Sequence, residues 1–209
     1  MKKVKFSSGE LSLEGILNVP QGSGPFPAAV ICHPHPLYGG SMDSTVVNAV
    51  FSALSRASFI SLKFNFRGVG ASEGEFSQGR DEQKDVAAAI SLVNSVKEVD
   101  LSKMAVIGYS AGAAFGLPIA FEDDRIKALV AISPPLDMFN FNFLQNCPKH
   151  KLPISGGRDD FTTQPRSLEF CQTLPEPKEY EIVEAADHFW WRYEDIVAAT
   201  VTSFLFSAL

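Results

Sequence analysis

At 209 residues, with 45% hydrophobic and 20% charged side chains, the chain has the composition of an ordinary globular protein and enough length for one domain, residues 1–209, with a sizeable core. A formal net charge of −6, with Lys and Arg scattered, argues against general affinity for nucleic acid or an anionic membrane surface. No run approaches the roughly 20 apolar residues of a membrane span, and Met1-Lys2-Lys3 passes at once into polar, alternating sequence, so no signal peptide is expected.

Lys2–Phe6 and Leu11–Asn18 alternate in polarity and are joined by Ser8-Gly9, which predicts an antiparallel hairpin. Ala28–Cys32 then reads as a buried strand. The loop after it, Cys32-His33-Pro34-His35-Pro36-Leu37-Tyr38-Gly39-Gly40, stands where a backbone donor to an oxyanion would be needed. Pro34 and Pro36 have no N–H, which leaves His35, Leu37, Tyr38 or a glycine; Leu37 is the expected donor, and Tyr38 is expected to touch substrate. His33 and His35, two apart with no acidic or thiol partner at ligand spacing, do not make a metal site, and no metal is expected.

A helix over Asp43–Ala57 and a strand over Phe59–Phe64 follow. Asn65–Gly74 is glycine-rich but lacks the dinucleotide spacing and enters a long loop, so Arg67 reads as a structural hydrogen-bonding residue. After a helix over Arg80–Val96 and a strand over Met104–Ile107 comes Gly108-Tyr109-Ser110-Ala111-Gly112, and then a helix over Ala111–Phe121. Strand, tight turn and helix form the required setting of the G-x-S-x-G nucleophile elbow. Ser110 is the expected nucleophile, the Ala111 N–H the first oxyanion donor at a helix N-terminus, and Tyr109 a substrate contact. Pro118 should kink or end this helix early.

The next strand is Ile126–Ile132. The connection from there to the strand Leu152–Ser155 holds about 18 residues, too few for a cap domain. Its Phe139, Phe141, Phe143 and Leu144 either pack on the core as a short helix or wall an acyl pocket; Phe139 and Phe143 are the expected substrate contacts. Gly156-Gly157-Arg158-Asp159-Asp160 follows and offers two acids for orienting a histidine, Asp159 being favoured over Asp160 by its spacing from Gly156, with Asp137 in reserve. A helix over Pro165–Leu174 and a last strand over Glu179–Val183 lead to Glu184–His188 and a final helix over Phe189–Leu209. Of the four histidines only His150 and His188 follow Ser110; His150 precedes a strand in a Lys-rich connection, so His188 is the expected general base.

Apolar strands alternating with helices predict an α/β-hydrolase fold: an eight-stranded, mostly parallel sheet covered on both faces, without a cap. The three cysteines show no pairing or ligand pattern, as expected of reduced thiols in a cytoplasmic protein. The edge strand Glu179–Val183 could seam a homodimer, or its charges could protect it from pairing.

His33–Gly40 (HPHPLYGG), Asn65–Gly74 (NFRGVGASEG), Gly108–Gly112 and Ala186–Phe189 (ADHF) together resemble the small capless bacterial α/β-hydrolases grouped with dienelactone-hydrolase-like and acylaminoacyl-peptidase-like proteins, over nearly the whole chain. The resemblance implies a Ser-Asp-His triad on Ser110, Asp159 and His188, no metal or organic cofactor, and carboxylesterase activity on short acyl chains. True dienelactone hydrolases carry a cysteine nucleophile, and Ser110 departs from that. A small ester is thus the expected substrate. The rivals are a peptidase or amidase using the same three residues, and a catalytically idle binding protein on the same fold.

Overall fold

The computed structural model describes residues 1–209. The strands are β1 (Lys2–Ser8), β2 (Leu11–Asn18), β3 (Phe26–Cys32), β4 (Ile60–Phe64), β5 (Val99–Tyr109), β6 (Ile126–Ile132), β7 (His150–Gly156) and β8 (Glu181–Val183). The helices are α1 (Thr45–Arg56), α2 (Glu82–Asn94), α3 (Ala111–Glu122), α4 (Gln164–Thr173) and α5 (Glu194–Ala208). All strands join one sheet in the order β1-β2-β4-β3-β5-β6-β7-β8. β1 and β2 form the antiparallel hairpin, β2 meets β4 antiparallel, and β3 to β8 run parallel. This is the α/β-hydrolase fold, with no cap inserted between β6 and β7. No helix is long and apolar enough to cross a membrane.

Period-two alternation sends each central strand's side chains to opposite faces, and the apolar runs follow because both faces are covered. Ala28, Val30 and Cys32 of β3 join a core with Val86 and Ile90 of α2, Phe115 and Leu117 of α3, and Phe170 of α4. Ala29 and Ile31 face the other way, against Val46, Val50 and Leu54 of α1 and Val197, Val201 and Leu205 of α5.

Most boundaries fall within two residues of expectation, and three departures have a structural cause. β5 starts earlier, at Val99, although its polar first half lies largely outside the sheet's pairing. α3 runs unbroken to Glu122 with Pro118 inside it. The lost backbone bond costs about 3 kcal/mol, and burial of Phe115, Leu117 and Ala120 along the same helix outweighs it. α5 begins five residues later than expected, at Glu194, because Trp190 and Arg192 take positive φ of 61° and 72°. That turn drives the Trp190 ring into full burial, where Nε1–H donates to Ser133 Oγ at 3.0 Å. β3 through β8 all end at the same rim, where ligands of open α/β sheets bind, and the loops there carry every candidate site residue.

Candidate active site

Ser110 stands between β5 and α3 with φ 52° and ψ −123°, a conformation costing about 1–3 kcal/mol for a residue with a side chain. The surroundings explain how it persists. Its N–H donates to Ile132 O at 2.8 Å. A Cβ on Gly108 would lie 2.3 Å from Ala113 Cα, and one on Gly112 would lie 2.4 Å from Cys32 O and 2.5 Å from His33 O. Both glycines are therefore dictated by backbone contact, and any larger residue would push α3 off β3.

Ser110 Oγ lies 2.9 Å from His188 Nε2, and His188 Nδ1 lies 2.8 Å from Asp159 Oδ2. All three side chains are buried or nearly so. Asp159 Oδ1 accepts the N–H groups of Phe161 (2.8 Å) and Thr162 (3.2 Å), which hold the carboxylate still. A carboxylate at Nδ1 makes that nitrogen the donor and leaves the Nε2 lone pair toward the hydroxyl. Asp160 is exposed, Asp137 makes only a long exposed contact with Arg166, and Asp187 accepts the N–H of Phe189 in its own turn. His150 is exposed at the start of β7, at the far end of that strand from Asp159. The imidazole of His188 packs against the rings of Phe161 (4.3 Å between centroids), Phe189 (5.5 Å) and Tyr109 (6.1 Å). Tyr109 Oη–H donates to His188 O at 3.0 Å; burial, and then the Asp159 charge, push this phenol well above its ordinary range.

Ala111 opens α3, so its N–H has no intrahelical acceptor and stands beside Ser110. Leu37 is not placed as expected. Its N–H turns back to His35 Nδ1 at 3.2 Å, and its side chain is 74% exposed. The cause is a single 3-10 turn over Pro36–Tyr38, in which Tyr38 and Gly40 donate to His35 O and Gly39 to Pro36 O. From His35 to Gly40, the His35 N–H alone has no acceptor. Burial holds the His35 imidazole below its ordinary pKa, which favours the neutral ring, and the Leu37 N–H at Nδ1 selects the tautomer in which that nitrogen accepts.

The loop is anchored from beneath by His33, whose Nε2 accepts the Phe66 N–H at 3.1 Å and whose Nδ1 therefore donates to Pro34 O at 2.7 Å. Burial lowers this histidine's pKa to about 4, and it stays neutral. Arg67, next along, grips Asp85 of α2 through Nε (3.0 Å) and Nη2 (2.7 Å), and Asp85 also accepts the Ser8 hydroxyl at 2.7 Å. Arg67 is thus a structural tie, as its setting in the sequence suggested.

Above Ser110 lies a cavity of about 380 Å³, open to solvent. His35, Tyr38 and Tyr109 line it, as do Phe161, Phe189 and Trp191, which the sequence reading passed over. Phe161 lies two residues beyond Asp159 and Trp191 three beyond His188, so closeness to the acid and base was their only signal, while Phe189 closes the ADHF motif around the base. Phe139 lines an adjoining cavity. Phe143 lines neither; it packs on Phe121 of α3 and on Phe141 at centroid distances of 5.8 and 6.2 Å. The lining of the main cavity includes no Asp, Glu, Lys or Arg.

Comparison with known proteins agrees with this architecture. The family described as X-Pro dipeptidyl-peptidase (S15 family) matches residues 11–190. An uncharacterized protein of Rickettsia prowazekii is 30% identical over 203 residues, covering 93% of this chain and 84% of its own length. The esterase EstD of Thermotoga maritima is 32% identical over 133 residues, covering 59% of this chain and 30% of its own. In structure, the chain is similar to an α/β serine hydrolase without lid from Xanthomonas campestris, with TM-score 0.87 and 25% identity over 100% of this chain and 94% of that one.

Proposed function

The chain belongs to the S15 (X-Pro dipeptidyl-peptidase) family of serine-hydrolase-type α/β-hydrolases, and from that premise we propose that it hydrolyses small carboxylic esters through an acyl-enzyme on Ser110. The observation that carries this reading is the unbroken relay from the Ser110 hydroxyl through His188 to Asp159 at the floor of an open, uncharged cavity.

The steps follow from the geometry. His188 Nε2 takes the Ser110 proton as Oγ attacks the carbonyl carbon. Charge develops on the carbonyl oxygen, and the N–H groups of Ala111 and His35 hold it. Asp159 stabilises the imidazolium that forms. The tetrahedral species collapses, the ester C–O bond breaks, and His188 returns the proton to the departing alcohol. Water then enters, loses a proton to His188, and attacks the acyl carbon; Oγ leaves with that proton, releasing the acid.

The family's description raises a peptidase reading with the same three residues. An enzyme that trims dipeptides must anchor a free ammonium group, which in a buried site calls for a carboxylate partner. The cavity over Ser110 offers none, which favours a neutral ester, and EstD, a relative by sequence, is an esterase. Turnover of p-nitrophenyl acetate beside glycyl-prolyl-p-nitroanilide tests the choice. The expected result is ester turnover, lost by at least about 10³-fold in Ser110→Ala, with little on the anilide. Faster anilide turnover would assign the protein to the peptidases.

A further inference from the structure

Beside the cavity over Ser110 lies a second one of about 360 Å³, and the two share His35 and Tyr38. Its walls are Leu37, Phe76, Phe115 and Phe139, brought together from the loop after β3, the loop after β4, α3 and the β6–β7 connection. The rings meet at steep angles: Phe115 lies 5.8 Å from Phe139 at 85°, and Phe76 lies 4.9 Å from His35 at 67°. No Asp, Glu, Lys or Arg lines this cavity either.

The remaining lining residue is Gln78. It is exposed, it holds a positive φ of 60°, and its side-chain amide makes no hydrogen bond within the chain. The turn carrying it is clamped from below. The fully buried carboxylate of Glu82 accepts the Ser77 N–H, the Ser77 hydroxyl and the Gly79 N–H, each at 2.7 Å. Gly79 rests directly on Phe115, since a Cβ there would lie 2.6 Å from the ring. A left-handed residue other than glycine, asparagine or aspartate is uncommon and strained, and such strain gathers at ligand sites. Here a buried acid and a glycine contact hold a solvent-facing amide at the lip of an aromatic slot.

The proposed reaction sets the orientation of substrate. His188 must protonate the departing alcohol, so the alcohol lies on the side walled by Phe161 and Phe189. The acyl group, bonded to the same carbon, points away past His35. We propose that the second cavity is the acyl subsite, and that it takes a flat aromatic acyl group whose polar ring substituent hydrogen-bonds to Gln78. The proposal rests on the ester-hydrolase reading of Ser110. An alkyl chain would fill the slot without contacting the Gln78 amide; an aryl ring stacks edge-to-face on Phe115 and Phe139, and a polar substituent on it exchanges solvent for that amide at the lip.

The test compares p-nitrophenyl esters, identical in leaving group, of acetic, hexanoic, phenylpropanoic and para-hydroxyphenylpropanoic acids. The para-hydroxy ester is expected to exceed the acetate in kcat/KM by about tenfold or more. In Gln78→Gly and Gln78→Ala, the ratio of para-hydroxy to unsubstituted phenylpropanoate should fall by about 2- to 10-fold, the worth of one neutral hydrogen bond. Glycine adopts φ of 60° freely, so the Gly variant should have a Tm no lower than the parent, and misfolding would not account for its loss. Phe139→Trp, which fills the slot, should lower the aryl-to-acetyl ratio about tenfold. Hexanoate turned over as well as the para-hydroxy ester, or ratios unmoved by Gln78→Gly, would overturn the subsite. Absence of turnover of all four esters by the parent protein would instead overturn the underlying esterase reading.

Discussion

Replacing Asp159 by Asn should lower kcat about 10⁴-fold while leaving the fold in place. Asp159 Oδ1 is fixed by two backbone N–H groups, at 2.8 and 3.2 Å. An asparagine keeps its carbonyl oxygen there and so presents its NH₂ group to His188 Nδ1, 2.8 Å away. Donor then faces donor. The imidazole moves its proton to Nε2, and the lone pair that should receive the Ser110 proton at 2.9 Å is lost. The same exchange in the Ser-His-Asp template costs about 10⁴ in kcat, or about 5 kcal/mol of transition-state stabilisation. Asp160, exposed and outside the relay, supplies the control: Asp160→Asn should change kcat by less than about twofold. Steady-state hydrolysis of p-nitrophenyl acetate, with Tm recorded for each variant, decides it. An Asp159→Asn protein that kept a tenth of its kcat, or an Asp160→Asn protein that fell as far, would refute the assignment of the acid.

Other consequences reach beyond the relay. His33, held neutral with a pKa lowered to about 4 by burial, makes stability depend on pH. Its folded pKa lies below the unfolded value of about 6.5, so the unfolded chain binds the extra proton first. The contribution is complete above about pH 6.5 and lost as pH falls toward 4, about 3 kcal/mol in all; urea titrations across that range should show the loss, and His33→Gln should flatten it. Asp85→Asn leaves the buried Arg67 guanidinium with only its long contact to half-exposed Asp81, which should cost about 3–5 kcal/mol and lower Tm by roughly 10 °C. Asp81→Asn, whose contact with Arg67 is a half-exposed 3.6 Å, should leave Tm nearly unchanged by the same scan. Gly112→Ala would drive a Cβ against the carbonyl oxygens of Cys32 and His33, displacing the Ala111 N–H. Its ester turnover should fall far more than that of Ala113→Gly in a parallel assay.

The parts of the site that could be read from sequence are those where residue type and chain order decide. Ser110 is marked by glycines whose Cβ positions backbone would fill, and His188 is the downstream histidine at the sheet's active rim. Alternation and apolar runs made the eight strands legible, because each face of the sheet has its own helices to bury against. The second oxyanion donor could not be read in the same way. Whether His35 or Leu37 offers a free N–H depends on the 3-10 turn at Pro36–Tyr38, and any residue but proline carries an N–H to offer. Phe143 and Phe161 show the same limit for side chains: both are phenylalanines in connections, and only the tertiary path puts one on α3 and the other beside His188. The start of α5 was misplaced because the pull of Trp190 into the core overrides the helical pattern of its neighbours.

The central claim, that Ser110 is an activated nucleophile, is tested most directly by a fluorophosphonate probe followed by mass mapping of the adduct. The account predicts one adduct per chain, on Ser110, with labelling abolished in Ser110→Ala and slowed by orders of magnitude in His188→Ala. An unlabelled parent protein, or an adduct on any other residue, would contradict it.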